Sequence, residues 1–141
     1  MIDIGMVSTD LFYFAVATLG VDGGITISAS HNPREWNGMN MCRAGAVPIA
    51  LTSGLAEIRD AVLAAEKPFL AAKKGSVRKV NVWDAYAKYT LSYIDASAVK
   101  PLKVVANANC GMQAKILEHV VKAGNLPLTI VPLNAEPDGT F

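Results

Sequence analysis

The chain has 141 residues, of which 52% are hydrophobic and 18% charged, and its formal net charge at pH 7 is +1. This length can bury a substantial core, and the composition is too apolar for a disordered protein. The near-neutral charge argues against nucleic-acid binding, which normally needs a basic surface. No apolar stretch reaches the ~20 residues of a membrane-spanning helix, and no basic segment marks a secretory signal. We therefore expect a cytoplasmic protein without nucleic-acid or membrane partners.

The two cysteines, Cys42 and Cys110, are far apart in the sequence and form no CxxC pair. Neither a disulfide framework nor a zinc site is therefore expected. After these exclusions, we expect an α/β protein that binds or converts small molecules.

The first half of the chain alternates predicted strands and helices. Ser8, Thr9 and Asp10 supply capping side chains before an apolar run that Gly20 ends, which predicts a helix between them. The predicted elements are a buried strand at 2–7, a helix at 11–19, a strand at 25–28, a strand at 39–43 with Met39 and Met41 facing inward, and a helix at 54–66 that stops before Pro68.

The second half follows a linker predicted at residues 73–76 and repeats the same pattern. Its predicted elements are a helix over 83–94, a strand at 102–106, a polar loop at 107–111, a helix around 116–121 that Gly124 ends, and a strand at 128–131. Strand, loop and helix therefore succeed one another twice, at 2–20 and at 102–124. This order is typical of parallel α/β sheets.

The most informative segment is the loop at residues 26–33, which reads Thr-Ile-Ser-Ala-Ser-His-Asn-Pro. It places Ser30 just past the carboxyl end of a predicted strand, where open α/β sheets form their ligand crevices. A serine displayed in this way can act as a nucleophile or carry a phosphoryl group. The alternative is a polar loop whose Ser and Asn side chains only satisfy the turn backbone.

A serine hydrolase is a weak interpretation of this loop. The glycines of the G-x-S-x-G nucleophile elbow are missing. We expect His31, the immediate neighbour of Ser30, to be poorly placed to reach the serine hydroxyl, and His119 to lie on the surface of a helix.

Residues 23–33 read Gly-Gly-Ile-Thr-Ile-Ser-Ala-Ser-His-Asn-Pro and are followed by Asn37-Gly38. This segment resembles the phosphoserine loop of the α-D-phosphohexomutases, and within that superfamily it is most similar to the bacterial phosphomannomutases. The resemblance extends over nearly the whole chain, through residues 3–6, 13–15, 45–49, 52–55, 84–86, 101–105 and 137–141.

The resemblance implies an α/β fold made of three-layer α/β/α phosphohexomutase-type domains. Residues 1–75 would form the C-terminal part of domain I, with the phosphoserine loop, and residues 76–141 the N-terminal part of domain II. The first domain would be incomplete at its N-terminus and the second at its C-terminus. We therefore expect the chain to be a fragment.

The resemblance also implies an isomerase that interconverts mannose 6-phosphate and mannose 1-phosphate. Phosphorylated Ser30 would donate its phosphoryl group to a hexose phosphate, and the resulting hexose bisphosphate would return its other phosphoryl group. Mg²⁺ is the implied cofactor, with a phosphate oxygen on Ser30 as one ligand. His31 would polarise the transferring phosphoryl group or transfer a proton. Asn32 and Asn40 would stabilise the loop or contact the substrate.

Three departures from the family pattern leave alternatives open, one of which is that the family's sugar-recognition loop and its final phosphate-binding loop are not found in this sequence. The family's Asn-Gly-x-Lys segment ends here at Asn40, whose amide carries no charge and cannot act as an acid or base at neutral pH. The aspartate motif D-G-D-x-D-R does not occur in the sequence. The alternatives are a catalytically incompetent fragment, a phosphate-binding remnant, or a phosphoglucomutase or phosphoglucosamine mutase.

Overall fold

The computed structural model describes residues 1–68 and 70–140. It has the mixed α/β fold that the sequence predicts. In chain order the elements are β1 (Ile2–Asp3), α1 (Thr9–Thr18), β2 (Gly23–Ile27), β3 (Met39–Arg43), β4 (Val47–Pro48), α2 (Leu55–Ala64), β5 (Arg78–Lys79), α3 (Trp83–Leu91), β6 (Leu102–Asn107), α4 (Gln113–Ala123) and β7 (Leu128–Leu133).

The strands form three small sheets within the described residues. β2, β3 and β4 make an antiparallel sheet in that order, β1 pairs in parallel with β5, and β6 pairs in parallel with β7. The β6–α4–β7 crossover confirms the parallel unit predicted at 102–124. Every helix in residues 1–68 and 70–140 is too short or too polar to cross a membrane.

The predicted capping signals set the ends of α1. The Ser8 side chain is the N-cap and accepts a hydrogen bond from the Leu11 N–H at 3.3 Å, so the helix begins two residues before the predicted start. Gly20 follows the helix with a φ of +63°, a left-handed conformation that suits glycine. These residues confirm the helix prediction.

The prediction of a buried strand over residues 2–7 is wrong beyond Asp3. Gly5 has a φ of +72°, and its N–H donates to the Asp3 carboxylate at 2.9 Å. This local turn ends β1 after two residues, and both are only half-buried. The apolar run indicated a strand, but a side chain-to-backbone bond competes with strand pairing at this point.

Helix α1 is the central packing element because two core clusters meet on it. Its Phe12 and Val16 pack with Cys42 against the β2–β3 sheet. A Cβ atom at Gly24 would lie 2.5 Å from the Val16 Cγ2, so β2 approaches the helix closely only because that residue is glycine. The other cluster joins both halves of the chain and consists of Leu11, Ala15 and Val82, with Ile4, Val7, Leu19, Val80, Trp83, Tyr86 and Ile116 around them.

The opposite face of the β2–β3 sheet is exposed. Met39 was expected to face inward, but 64% of its surface is accessible, and Ile27, its cross-strand partner, is also exposed. The expectation is wrong because α1 covers the other face of the sheet, where Cys42 is buried.

A polar contact supports the packing of α1 against α3. The Tyr86 hydroxyl donates a hydrogen bond to the Asp10 carboxylate. Burial opposes ionisation of Asp10, but hydrogen bonds from Ser8 and Tyr86 outweigh it and lower the pKa of Asp10 below its ordinary value. The ionised carboxylate is therefore the form that the fold stabilises.

We expect the Asp10→Asn variant to have a lower free energy of unfolding than the parent chain at neutral pH. The folded-state pKa is depressed, so the stabilisation is fully present above the ordinary pKa of 3.8 and is lost as the pH falls through the lower folded value. Urea unfolding over a pH series should show the two proteins converging in strongly acidic solution. An unchanged difference at all pH values would contradict this. Asp22→Asn, at an exposed turn, is the control and should shift stability by about 0.5 kcal/mol or less.

Candidate functional site

A cleft of about 830 Å³ lies where several strands end. Its walls are the segment 6–9 after β1, the loop 28–34 after β2, the loop 108–112 after β6, and residues 137–139 beyond β7. Each of these segments follows the carboxyl end of a strand, which is the edge where α/β sheets bind ligands. The Ser30 loop singled out in the sequence therefore faces a cavity.

The base of the Ser30 loop is closed by backbone contacts. The Ser28 N–H donates to the Gly38 carbonyl oxygen at 3.0 Å. A Cβ atom at Gly38 would lie only 2.8 Å from the Ser28 carbonyl oxygen, so glycine permits this close approach. The Asn37-Gly38 turn that follows the loop in the sequence is thus the point where the loop returns to β3.

Hydrogen bonds inside the loop hold Ser30 in a strained conformation. Ser30 has a φ of +56°, in the left-handed region that non-glycine residues seldom adopt, at a cost of about 1 kcal/mol or more. Its N–H donates to the Ser28 Oγ at 3.1 Å. The Asn32 side-chain amide donates to the Ala29 carbonyl oxygen at 2.7 Å, which supports a loop-stabilising role for Asn32. Strain maintained by such contacts is common at functional sites.

The side chains of Ser30 and His31 are in hydrogen-bonding contact. The Ser30 Oγ lies 3.1 Å from the His31 Nδ1, and both residues are exposed to the cleft. The expectation that His31 is poorly placed to reach the serine hydroxyl is therefore wrong. The left-handed backbone at Ser30 brings the two neighbouring side chains to the same side. In the tautomer that leaves Nδ1 unprotonated, the Ser30 hydroxyl donates a hydrogen bond to the His31 Nδ1.

The arrangement is not that of a serine hydrolase. Within residues 1–68 and 70–140, no carboxylate forms a hydrogen bond or ion pair with His31. The other histidine, His119, bonds to the Asp84 carboxylate at 3.0 Å and packs edge-on against the Trp83 ring at a centroid distance of 5.5 Å. It joins α4 to α3 and has a structural role.

Three of the four predicted site residues are together in the cleft. Ser30, His31 and Asn32 all belong to the loop after β2 and line the cavity. Asn40 instead lies within β3, opposite Thr26, and is not among the lining residues.

Sequence reasoning missed the wall that faces Ser30. Asn109 and Cys110 both have left-handed backbones, with φ of +47° and +58°. The Cys110 N–H donates to the Asn134 carbonyl oxygen at 2.8 Å, and the Cys110 carbonyl oxygen accepts from the Asp138 N–H at 3.1 Å, which joins the loops after β6 and β7. The parallel pattern predicted for β6 and β7 indicated that their carboxyl ends share one edge, but it did not indicate that this edge lies opposite the loop after β2, because β2 belongs to a separate sheet.

Two charged residues also line the cleft, Arg34 and Asp138. Hydrogen bonds from the Thr140 N–H and hydroxyl, both at 2.8 Å, lower the pKa of the Asp138 carboxyl. Arg34 provides a permanent positive charge, suited to binding a phosphate group.

The described residues do not fit the implied Mg²⁺ site. In residues 1–68 and 70–140, no group of three or more His, Cys, Asp or Glu side chains is close enough to hold a metal ion. Mg²⁺ prefers near-octahedral coordination by oxygen, and one or two carboxylates are its usual protein ligands. Asp138 is the one carboxylate among the described residues that line the cleft, and its two oxygens are too few for six-coordinate Mg²⁺.

Comparison with known proteins finds sugar-phosphate mutases among the similar proteins. Residues 1–68 match the family model described as phosphoglucomutase/phosphomannomutase, alpha/beta/alpha domain I. The chain is 39% identical to the phosphomannomutase of Salmonella typhimurium over 145 aligned positions, which cover 100% of this chain and 32% of the relative. It is 41% identical to the phosphohexose mutases protein of Xanthomonas campestris, with 100% and 31% covered.

A solved structure agrees with these matches. The crystal structure of a phosphoglucomutase/phosphomannomutase family protein from Burkholderia thailandensis superposes with a TM-score of 0.71 at 31% sequence identity, over 99% of this chain and 30% of that chain. The chain thus spans about a third of the length of the curated relatives that it matches. In its fold, its loop after β2 and these matches, the chain is similar to proteins of the phosphoglucomutase/phosphomannomutase family, and its residues 1–68 match domain I of that family.

Proposed function

We propose that Ser30 is the phosphoryl acceptor and donor of a phosphohexomutase reaction, in which a hexose phosphate is converted through a hexose bisphosphate. The observation that carries the proposal is the position of the Ser30 Oγ, in the cleft and 3.1 Å from the His31 Nδ1. Mannose phosphates are the favoured substrates because the Salmonella typhimurium relative is a phosphomannomutase. Hexose phosphates are charged and do not diffuse through lipid, which favours a cytoplasmic location.

The first step loads the serine. The Ser30 hydroxyl gives its proton to the His31 Nδ1 while its Oγ attacks a phosphorus atom of the hexose bisphosphate. The bond between that phosphorus and the sugar oxygen breaks, and the sugar oxygen keeps the electron pair and takes up a proton from solvent. The products are phosphoserine and a hexose monophosphate.

The reverse transfer completes the conversion. A hydroxyl of a bound hexose monophosphate loses its proton to solvent and attacks the phosphoserine phosphorus. The bond to the Ser30 Oγ breaks, and the serine oxygen recovers a proton from His31. The bisphosphate then reorients in the cleft and returns its other phosphoryl group to Ser30. Arg34 would neutralise phosphate charge, and Asn32 would keep the loop closed.

Residues 1–75 are proposed to be part of phosphohexomutase domain I, and residues 76–141 part of domain II. The match of residues 1–68 to the domain I family model supports the first assignment. The cluster of Leu11, Ala15 and Val82 packs the two parts against each other. The cleft draws its walls from both parts, so a phosphate bound at Ser30 would face the loop after β6.

The second candidate function is phosphate binding without turnover. Asn40 supplies neither charge nor a proton, and the described residues do not build a Mg²⁺ site. Removing one such group from a phosphoryl-transfer site costs on the order of 10²-fold in rate. A remnant of this kind would still bind a sugar phosphate at Arg34 and the Ser30 loop.

The decisive experiment is incubation of the chain with mannose 1,6-bisphosphate or glucose 1,6-bisphosphate and MgCl₂, followed by mass spectrometry of the intact protein and its peptides. We expect one added phosphoryl group, located on Ser30, and faster loading by the mannose compound. Inorganic phosphate is the control and should add nothing. Binding of the bisphosphate by calorimetry without transfer to Ser30 would overturn the enzymatic proposal in favour of the phosphate-binding remnant.

A further inference from the structure

The turn that closes the Ser30 loop contains the one asparagine of the chain that is followed by glycine, at Asn37-Gly38. The Asn37 side chain is exposed and lines the cleft. Glycine has no Cβ atom, so no side chain on Gly38 shields its backbone nitrogen from the Asn37 carboxamide. An asparagine in this setting can react with its own backbone.

The backbone nitrogen of Gly38 lies beside the group that it would attack. Its N–H donates to the Asn37 Oδ1 at 3.0 Å, and Oδ1 is bonded directly to Cγ, the carbon at which the reaction would occur. The donor and the carboxamide are thus held together by the turn itself.

The same nitrogen is not held by the β2–β3 sheet. Opposed residues in a hydrogen-bonded antiparallel pair exchange two backbone hydrogen bonds. Ser28 and Gly38 make only one, from the Ser28 N–H to the Gly38 carbonyl oxygen at 3.0 Å. Within residues 1–68 and 70–140, no backbone oxygen accepts the Gly38 N–H. Reaction at this nitrogen therefore breaks no hydrogen bond of the sheet.

We propose that Asn37 is a site of intrinsic modification, at which cyclisation with Gly38 and hydrolysis convert the amide into a carboxylate and weaken the binding of phosphorylated sugar in the cleft. The conversion is independent of the proposed function. Its effect on a sugar phosphate rests on that function, because it requires the phosphate to bind beside the Ser30 loop.

The conversion needs only water. The Gly38 nitrogen loses its proton and bonds to the Asn37 Cγ, the bond between Cγ and Nδ2 breaks, and Nδ2 takes up a proton and leaves as ammonia. The product is a succinimide ring. Water then adds to one of its two carbonyl carbons and opens the ring, which gives aspartate or isoaspartate.

The new carboxylate changes the charge of the cleft. Among the described lining residues, Arg34 is the permanent cation and Asp138 the carboxylate. A second carboxylate at residue 37 would lie on the segment that closes the Ser30 loop and would repel a phosphate group. We therefore expect the affinity for a hexose bisphosphate to fall about tenfold or more.

The isoaspartate product also changes the backbone. Its main chain runs through Cβ and Cγ, so one extra carbon separates residue 37 from Gly38. The Gly38 carbonyl oxygen would then move relative to the Ser28 N–H that it accepts at 3.0 Å. This contact closes the base of the loop, so the position of Ser30 would change as well.

The conversion is tested on the folded chain, incubated in mildly alkaline or mildly acidic buffer and then digested with trypsin beside an unincubated sample. Trypsin releases residues 35–43 as one peptide, which contains both Asn37 and Asn40. Asn40 is also exposed but precedes methionine, and it is the internal control. Mass spectrometry should find aspartate and isoaspartate at Asn37 alone, formed faster in alkaline buffer because the Gly38 nitrogen must lose a proton.

Asn37→Gln is the matched variant, since its longer side chain would have to close a larger ring. We expect it to gain no carboxylate under the same conditions. An unchanged Asn37 in the parent chain, or equal conversion at Asn37 and Asn40, would overturn the proposal.

The effect on the cleft is measured by calorimetry with mannose 1,6-bisphosphate. Asn37→Asp should bind this compound about tenfold more weakly than the parent chain or worse. Ser76→Asp adds a carboxylate outside the cleft and should bind it like the parent chain. Equal affinity of Asn37→Asp and the parent chain would overturn the effect on the cleft.

The partly converted chain gives the same comparison without a substitution. Cleavage at lysine alone leaves Ser30 and Asn37 on one peptide, because the first lysine of the chain is Lys67. After incubation with the bisphosphate and MgCl₂, peptides with a carboxylate at residue 37 should carry less phosphate on Ser30 than unconverted peptides. A fresh chain that neither binds nor loads the bisphosphate would overturn the proposed function and the effect on the cleft together. The conversion at Asn37 is decided by the tryptic peptide alone.

Discussion

The Ser30→Ala variant is expected to incorporate no phosphate from a hexose bisphosphate, whereas the parent chain incorporates one phosphoryl group. The variant loses the only atom that forms the new bond, so the loss is complete rather than partial. Its free energy of unfolding should not fall, because Ser30 is exposed and its strained backbone contributes nothing to packing. Mass spectrometry of both proteins after the same incubation gives the measurement.

Two companion variants make this result specific. Ser76→Ala removes an exposed hydroxyl outside the cleft and should load like the parent chain. His31→Ala should load about 10²- to 10⁴-fold more slowly, because the proton of the Ser30 hydroxyl then lacks its acceptor at 3.1 Å. Phosphate found on the Ser30→Ala protein would show that another residue is the acceptor.

The Leu11→Ala variant is expected to lose about 2–5 kcal/mol of the free energy of unfolding. Leu11 is 0% exposed and belongs to the cluster with Ala15 and Val82, so truncation leaves a cavity between α1 and the segment before α3. Urea unfolding followed by tryptophan fluorescence measures the change, since Trp83 borders this cluster.

The matched control is Leu63→Ala on α2, where 78% of the leucine surface is exposed. Its free energy of unfolding should change by about 0.5 kcal/mol or less. Equal losses for the two variants would mean that the core is not centred on α1. A single transition is expected for Leu11→Ala, because the cluster it weakens spans both halves of the chain and the halves unfold together.

Helix ends and the parallel crossover could be predicted from the sequence because they depend on local chemistry. Ser8 caps α1, Gly20 follows it in a left-handed conformation, and Gly124 caps the end of α4. Each signal acts within a few residues, so neighbouring sequence is sufficient. The loop at 26–33 was identified for the same reason, since it follows a strand and is rich in turn residues.

Features that depend on distant parts of the chain could not be predicted in this way. Met39 was assigned to the interior from its alternation along the strand, but which face is covered depends on where α1 packs. The reach of His31 depends on the φ of Ser30, which hydrogen bonds to Ser28 and the loop closure at Gly38 maintain. The wall formed by Asn109 and Cys110 becomes visible only when both sheets are placed.

The left-handed backbone at Ser30 has a consequence for which hydroxyl amino acids the loop can use. Threonine offers the same chemistry, but its branched Cβ is unfavourable at a φ of +56°, where glycine and asparagine are the residues best tolerated. A threonine would therefore distort the loop before any reaction took place. Backbone geometry, rather than nucleophilicity, restricts this position to serine among the alcohols.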